Sequence, residues 1–509
     1  MEYTSILFEP CSPSKTMKES SRPDFFHDIH MDSIIRELLT GKEEYELTAL
    51  FYEKLPNRNA IQYRIAVMKD MEYGRLIEPL AVFSQNMRKT RQYAAYSESF
   101  KDKEQQDKWL ADGALLYCQS IRDLHHILTS AKLHSAGMRF VYNWLTAFID
   151  GAYFSALYEE VNELQQSFER IQYSMLIADR KITIFPHDNE MDYCQSLSET
   201  FQTEKNMDED FTIRFFTGLQ LSGLEADVLN ILRKQQPEPF RALKTFGSKY
   251  KGFIDPAILT FARELQFYLA CLQYFQGLQR QGLHYCYPTL SDSKELHIMA
   301  GYDLSLASSL LNTGKQVICN DFDVHTHESI FVLTGPNQGG KTTFARSLGQ
   351  ILHLASIGCP VPCQQAELFA LDQLFTHFPS KEHLEANTGQ LQDELLRLKP
   401  ILNKATGYSV IILNEIFATT STLDAHTMSK KLLDKLRLQG TICLFVTHLL
   451  EIATSHKNTV SLVAAADPND PAKRTFLISR KVADGLVYAS SIASKYGLTP
   501  ARMKERIQA

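Results

Sequence analysis

The chain has 509 residues, of which 44% are hydrophobic and 22% are charged, and its formal net charge is −6. These proportions are close to those of an average soluble globular protein, and the length allows roughly two to four domains. The net negative charge argues against a protein that coats nucleic acid non-specifically, but it leaves room for a local basic site.

Neither a membrane span nor a secretory signal is expected from the sequence. The longest apolar runs, such as 410–413 and 442–446, have the length of a strand and are far too short to cross a bilayer. The amino-terminal residues, MEYTSILFEPC, show neither a basic region nor a cleavage site. We therefore expect a cytoplasmic protein.

The nine cysteines are scattered along the chain. Their only close pair in sequence is Cys359 and Cys363, and no second pair lies at the spacing of a zinc site. The pattern predicts reduced thiols, most of them buried.

The first half of the chain carries two stripes of apolar residues at helical spacing. From Phe154 to Met175 the apolar positions recur in steps of three and four, which predicts one long helix. A second stripe runs from Phe261 to Phe275 and ends near Gly277. Long helices that pack on each other account for both stripes, so residues 1–288 are predicted to form an all-α region.

Two charged segments lie between these stripes. Residues 188–210 are acidic, whereas residues 233–253 are basic and interleave cations with Phe240, Phe246, Tyr250 and Phe253. The candidate DNA-contacting cations are Arg233, Lys234, Arg241, Lys244, Lys249 and Lys251. Such a segment can hold phosphates by charge and bases by stacking, or it can be the solvated face of a helix. Both interpretations stay open.

The second half changes to short β-rich runs that alternate with helical stretches. The runs are 295–299, 330–333, 409–413 and 442–446. This alternation predicts an α/β structure with a largely parallel sheet, beginning near Pro288.

Residues 329–343 read as a strand, a glycine-rich loop and the start of a helix, and they fit the phosphate-loop pattern G-x-x-x-x-G-K-[ST]. The candidate nucleotide-binding residues here are Gly335, Pro336, Asn337, Gln338, Gly339, Gly340, Lys341, Thr342 and Thr343. Backbone N–H groups of such a loop surround phosphates, and the helix presents its positive end to them. Lys341 is expected to reach the β- and γ-phosphates, and the Thr342 hydroxyl is expected to bind Mg²⁺.

A phosphate loop of this type needs an acidic partner at the end of a buried strand, and residues 409–415 supply one. Asn414 stands where most such ATPases have Asp, so it can hydrogen-bond Thr342 or a Mg²⁺-bound water without adding charge. Glu415 follows and is the candidate base for the attacking water. His448 comes after the next strand and is a candidate to contact the γ-phosphate.

These motifs resemble those of the MutS family of DNA-repair proteins. Residues 334–343 are similar to its phosphate loop, 413–424 to its Walker B and D-loop, and 447–451 to its histidine loop. Residues 361–367 and 485–500 fit further segments of the family. The resemblance covers about residues 295–507 and extends more weakly over the helical half.

The resemblance implies a carboxy-terminal P-loop NTPase of the ABC type over residues 289–509. Before it would come a helical core and lever region, residues 1–288, with a clamp-like insert at about 179–257. It also implies ATP and Mg²⁺ as cofactors, DNA as a partner, and a homodimer that holds each nucleotide between one subunit's phosphate loop and the other's signature loop. Thr388 and Gly389 stand where that signature loop is expected, although its usual serine is absent.

One departure concerns mismatch recognition. Phe51-Tyr52-Glu53 lacks the glycine of the family's Gly-x-Phe-Tyr-Glu wedge motif, and about 290 residues precede the ATPase segment. We interpret this tripeptide as a coincidence and expect a MutS-like ATPase without the mismatch-recognition domain, acting on branched or unusual DNA in repair or recombination. The alternatives are a nucleotide-gated scaffold with weak hydrolysis and a protein partner, such as a repair protein, or another ABC-type ATPase.

Overall fold

The computed structural model describes residues 3–9, 21–100, 102–178, 181–186, 223–311, 313–379, 390–418, 420–456, 458–466 and 474–482. The chain divides into two compact units. The helical unit consists mainly of Ala81–Ser130 and Tyr142–Ala262, and the sheet unit consists of Tyr3–Leu80, Ala131–Val141 and Arg263–Ala509.

Helices dominate the chain before residue 289. They are α1 (Phe25–Asp28), α2 (Met31–Leu38), α3 (Arg58–Tyr73), α4 (Ile77–Ser99), α5 (Lys103–Ser130), α6 (Ala136–Ile149), α7 (Ala152–Glu169), α8 (Gly223–Gln235), α9 (Pro237–Lys249) and α10 (Pro256–Gln279). Short 3₁₀ turns lie at Glu43–Tyr45 and Thr48–Phe51. Within the described residues, no helix is both long enough and apolar enough to span a bilayer.

The first apolar stripe was predicted to be one long helix, and this prediction is wrong at its carboxyl end. Helix α7 stops at Glu169, and an antiparallel hairpin follows, formed by β1 (Tyr173–Ala178) and β2 (Lys181–Pro186). The step of four residues from Ile171 to Met175 fits the period of a helix and also the alternation of a strand. The described residues before 289 are therefore helical with one hairpin, and not all-α.

The second stripe is confirmed. Phe261, Leu265, Tyr268, Leu272 and Phe275 all lie on α10, and all are 0% exposed. One face of this helix is therefore part of the hydrophobic core along its whole length.

The sheet unit contains a six-stranded and a four-stranded sheet. Its strands are β3 (Thr289–Ser291), β4 (Leu296–Gly301), β5 (Asn320–Val324), β6 (Ile330–Thr334), β7 (Gln365–Phe369), β8 (Leu374–His377), β9 (Val410–Asn414), β10 (Ile442–Val446), β11 (Thr459–Ala466) and β12 (Arg474–Arg480). Its later helices are α11 (Leu304–Leu310), α12 (Lys341–Ser356), α13 (Gln390–Lys404), α14 (Thr422–Gln439) and α15 (Leu450–Thr454).

The six-stranded sheet has the order β12-β11-β6-β10-β9-β8, and every neighbouring pair is parallel except β12 with β11. The smaller sheet has the order β3-β7-β4-β5 and is mostly antiparallel. Strands β6, β9 and β10 are buried along their full length, as expected for parallel strands covered on both faces. The predicted parallel sheet is thus confirmed.

Helix α12 is buried over most of its surface, with 13 of its 16 residues buried. The amino-terminal segment covers it. The Gln350 amide donates to the Ile29 carbonyl at 2.9 Å, and His353 Nε2 lies 2.9 Å from the Phe51 carbonyl. Gly349 permits the close approach, because a Cβ there would lie 2.7 Å from the Ile29 side chain and 3.4 Å from Ile412.

Replacing Ile412 with Ala tests this packing. The side chain is 0% exposed at the centre of β9, so Ile412→Ala should lower the free energy of unfolding by about 2–5 kcal/mol. The control is Leu438→Ala on α14, where 90% exposure predicts a change within about 0.5 kcal/mol. Urea unfolding followed by circular dichroism measures both; equal shifts would contradict the burial of β9.

Candidate functional site

The residues singled out from the sequence meet at one edge of the six-stranded sheet. In the parallel register, Val446 of β10 lies beside Asn414 of β9 and beside Leu333 of β6. The phosphate loop follows β6, Glu415 follows β9, and His448 follows β10. Since the carboxyl ends of parallel strands share an edge, these three segments are neighbours.

The loop between β6 and α12 has the backbone geometry that glycine permits. Gly335 has φ +130° and Gly340, which caps α12, has φ +90°. A Cβ on Gly335 would also lie 2.9 Å from the Ala464 side chain. Both the torsion and the space therefore exclude a larger residue at this turn.

Lys341 folds back over this loop. Its Nζ donates to the carbonyls of Gly335 and Pro336 at 2.9 and 3.0 Å. The side chain is 4% exposed, and burial lowers its pKa, although the nearby Glu415 carboxylate opposes that shift. Two neutral carbonyls do not balance the charge of a buried cation. An anionic ligand can therefore replace them as the partner of the Lys341 ammonium group.

Thr342 and Asn414 lie next to each other beneath the loop. The Thr342 hydroxyl donates to the Asn414 side-chain oxygen over 3.4 Å, and Asn414 is 5% exposed. Both supply oxygen atoms, the donor type that Mg²⁺ prefers, so the pair fits this ion. The pair itself carries no negative charge.

Glu415 and His448 form a hydrogen-bonded pair at the same edge of the sheet. His448 Nε2 lies 2.9 Å from Glu415 Oε1, and this hydrogen bond is the main cause of a lowered pKa of the Glu415 carboxyl. Glu415 has φ +52°, a left-handed conformation that non-glycine residues adopt at a cost of about 1–3 kcal/mol. Its amide donates to the Val446 carbonyl at 2.9 Å, which holds the strained residue beside β10.

A cavity of about 490 Å³ opens beside the phosphate loop. Residues 337–343 and Glu415 form one wall. Sequence analysis missed a group of apolar lining residues: Tyr302, Leu306, Leu310, Ile318 and Phe476. These residues belong to separate elements, and no motif marks them.

Asn320 fixes part of this apolar lining. Its side chain donates to the Phe476 carbonyl at 3.1 Å and accepts from the Ile478 amide at 2.7 Å. Phe476 has φ +60°, and a Cβ on Gly340 would lie 3.5 Å from its ring. The Phe476 ring therefore lines the cavity next to the start of α12.

Two candidate residues, Thr388 and Gly389, lie outside the described residues. The basic segment falls in the helical unit, where its interleaved aromatic residues are buried: Phe240, Phe246, Tyr250 and Phe253 are 7% exposed or less. The interpretation in which these rings stack on bases is thus wrong, because the rings pack in the core.

Three of the six cations of this segment pair with carboxylates. Arg233 pairs with Glu104, Arg241 with Glu238, and Lys249 with Glu160. The three others, Lys234, Lys244 and Lys251, are exposed.

The location of Phe51-Tyr52-Glu53 supports the interpretation of its likeness to the wedge motif as a coincidence. Phe51 is 0% exposed, and its ring centroid lies 5.1 Å from that of Phe267. A side chain in that position is part of the core and is not presented to a DNA base.

Comparison with known proteins matches residues 331–506 to the family model "MutS domain V". The DNA mismatch repair protein MutS of Chlorobaculum tepidum is 30% identical over 239 residues, which are 46% of this chain and 27% of that protein. The MutS of Halalkalibacterium halodurans is 31% identical over 206 residues, 40% of this chain and 23% of that protein. The matched part thus spans about a quarter of the length of these relatives.

The phosphate-loop turn can be tested by Gly335→Ala. Strain at φ +130° and contact with Ala464 should lower the free energy of unfolding by about 1–3 kcal/mol. Gly314→Ala is the control, since Gly314 also has a positive φ, +69°, but a methyl group there would have no neighbouring atom within 4 Å. Thermal unfolding should shift more for Gly335→Ala; equal shifts would show that the contact with Ala464 contributes nothing.

Proposed function

Because this chain belongs to the MutS family through its domain V, we propose that it is an ABC-type ATPase of the P-loop class that acts on DNA. ATP binding would close a homodimer on DNA, and hydrolysis would reopen it. The observation that carries this proposal is the convergence of Lys341, Thr342, Asn414 and Glu415 at one sheet edge, beside a cavity of about 490 Å³. A cytoplasmic location belongs to the same proposal.

The cavity accommodates a nucleotide in one orientation. The loop amides and the positive end of α12 attract the phosphates, and Lys341 exchanges its two carbonyl partners for β- and γ-phosphate oxygens. The apolar lining residues, among them Tyr302, Ile318 and Phe476, would receive the base. This arrangement favours a nucleoside triphosphate over a free phosphate.

Thr342 would hold Mg²⁺, with Asn414 accepting a hydrogen bond from the Thr342 hydroxyl or from a metal-bound water. The ion would supply charge neutralisation at the β- and γ-phosphates. Asn414 is neutral, so Glu415 supplies the carboxylate at the end of β9. We therefore expect weaker metal binding and slower turnover than an Asp at position 414 would give.

Glu415 would orient the attacking water and accept its proton. His448 holds Oε1 at 2.9 Å, which leaves Oε2 to face the water. The lowered pKa keeps this carboxyl ionised at neutral pH, as a base requires. His448 thus positions the base, and it could also reach the γ-phosphate when the dimer closes.

The homodimer and the DNA partner are also parts of this proposal. Thr388 and Gly389 would touch the γ-phosphate held by the other subunit. The division at residues 288/289 and the clamp-like insert at about 179–257 stay predictions. Phe51 is buried, so this side chain does not read a mismatch, and branched or otherwise unusual DNA is the ligand that we propose.

A second candidate function is a nucleotide-gated scaffold that hydrolyses ATP weakly and binds a protein, such as a repair protein. Two observations favour it. Asn414 contributes no charge at the metal position, and three of the six cations of the basic segment are already paired with carboxylates.

Lys341→Ala should abolish binding of Mg·ATP in a calorimetric titration, because it removes the cation that faces the phosphates. Lys435→Ala on the exposed side of α14 is the matched control and should bind as the parent does. Unchanged affinity in Lys341→Ala would remove the nucleotide site from this proposal.

Glu415→Gln should bind ATP within a few-fold of the parent and lose turnover by about 10²-fold or more, since the amide cannot accept the proton. Phosphate release measures turnover, and size-exclusion chromatography with ATP should show more dimer. Turnover at the parental rate would place the base elsewhere.

Asn414→Asp is the companion to Glu415→Gln and separates the two candidate functions. A faster rate or tighter Mg²⁺ binding would show that the natural amide restrains hydrolysis. An unchanged rate would show that Asn414 already serves the ATPase, and it would count against the scaffold.

The exposed cations of the basic segment generate the DNA prediction. Lys234, Lys244 and Lys251 changed together to Glu should weaken binding to duplex and four-way-junction DNA alike, because phosphate contacts carry little sequence information. The slope of log affinity against log salt should fall by about 3 if each lysine meets one phosphate. ATP binding should be unchanged.

The matched control is the same charge change at Lys430, Lys431 and Lys435 on α14, all exposed. Fluorescence anisotropy across a salt series measures both variants. An equal loss in the control would assign the effect to net charge. If the parent shows no salt-dependent binding with or without ATP, the scaffold becomes the better account.

A further inference from the structure

Four cysteines of the sheet unit form two thiol–thiol contacts. Cys271 and Cys359 have their Sγ atoms 3.6 Å apart, and Cys286 and Cys363 have theirs 3.5 Å apart. Cys359 and Cys363, the close pair in sequence, both lie in the segment after α12, yet each contacts a cysteine from a different part of the chain. All four are free thiols.

The two contacts differ in their surroundings. Cys271 and Cys359 are both 0% exposed, and burial raises the pKa of Cys271 well above its usual value. Cys286 is only partly buried. The hydrogen bond between Cys286 and Cys363 is the main cause of a lowered pKa of Cys286. The Ala366 amide and the Lys69 charge lower it further, against the effect of burial.

Cys363 has the opposite character. Its pKa is raised, first by the hydrogen bond between the two thiols and then by burial. Cys286 is therefore the more accessible thiol of the pair, and Cys363, which is 0% exposed, lies directly beside it. Thiols that sense oxidants have this combination of an accessible thiolate and a resolving partner.

We propose that Cys286 and Cys363 form a reversible disulfide when the protein meets a hydroperoxide. The Cys286 thiol gives its proton to solvent, and the thiolate attacks the peroxide so that the O–O bond breaks. Cys286 becomes a sulfenic acid, and the other oxygen takes a proton from solvent and leaves as an alcohol, or as water from hydrogen peroxide. Cys363 then attacks the Cys286 sulfur, and the S–O bond breaks. The departing hydroxide takes the Cys363 proton and becomes water, so that two thiols lose two electrons to the peroxide.

The backbone already holds the two segments together. Cys286 exchanges two hydrogen bonds with Val361, at 2.9 and 3.1 Å, two residues before Cys363. The sulfur atoms need to approach by only about 1.5 Å to reach the length of a disulfide. The bond would close a loop with a sequence separation of 77 that contains the phosphate loop and α12, so it should stabilise the sheet unit against unfolding.

The test is to treat the full chain with one equivalent of hydrogen peroxide, block the remaining thiols with iodoacetamide, and map the peptides by mass spectrometry. We expect a linked Cys286–Cys363 peptide that dithiothreitol removes, and a thermal midpoint that rises by several degrees on oxidation. Cys363→Ser should instead accumulate a Cys286 sulfenic acid that dimedone traps. Cys271→Ser, in the fully buried pair, should leave the Cys286–Cys363 link intact.

Mapping the parent protein decides the proposal even if a variant fails to fold. A Cys271–Cys359 link that forms as fast would show that proximity alone controls oxidation. Links from Cys286 to Cys11 or Cys194, or equal reactivity at the partly buried Cys319, would also overturn it. These outcomes concern thiols outside the nucleotide cavity, so they are independent of the proposed ATPase function.

Discussion

The burial of helix α12 is the constraint on which the rest of the sheet unit depends. A helix with 13 buried residues out of 16 must be covered on nearly every side, and its buried residues include the polar side chains of Gln350 and His353. Carbonyls of the amino-terminal segment accept hydrogen bonds from both, and burial lowers the pKa of His353 to about 4, so its ring stays neutral. An unpaired polar group in this position would cost roughly 1–3 kcal/mol, which is why the amino-terminal residues belong to this unit although they are far away in sequence.

The same constraint determines the geometry of the candidate site. Because α12 is fixed on the buried strands, its first residues, Lys341 and Thr342, are held at the carboxyl edge of the sheet, where β9 delivers Asn414 and Glu415. The lowered pKa of Lys341 and that of Glu415 have different causes, burial for the first and a hydrogen bond from His448 for the second. An anionic ligand would offset the cost of burying the lysine charge and leave the carboxylate as the local base. The edge is therefore already arranged for a phosphate group.

Patterns with a single interpretation were predicted well, and ambiguous ones were not. The second apolar stripe, residues 261–275, keeps helical spacing throughout and is a helix. The first stripe ends in Ile171 and Met175, whose spacing suits a strand equally well, and the chain turns into a hairpin. In the basic segment, aromatic residues such as Phe246 and Tyr250 occur between cations, but sequence spacing could not show that the rings point into the core while Lys244 and Lys251 stay exposed.

The sequence by itself determined the chemistry along each segment: a phosphate loop whose glycines allow positive φ, a buried strand that ends in Asn414 and Glu415, and a parallel sheet. These features depend on local backbone preference and on periodicity, and residues that are close together in the sequence determine both. Only the tertiary structure decided which distant residues meet. Phe476 reaches the cavity because Asn320 bonds its carbonyl, and Cys286 meets Cys363 because a backbone bridge joins Cys286 to Val361. Such contacts arise from the packing of elements that are far apart in the chain, and no local pattern records them.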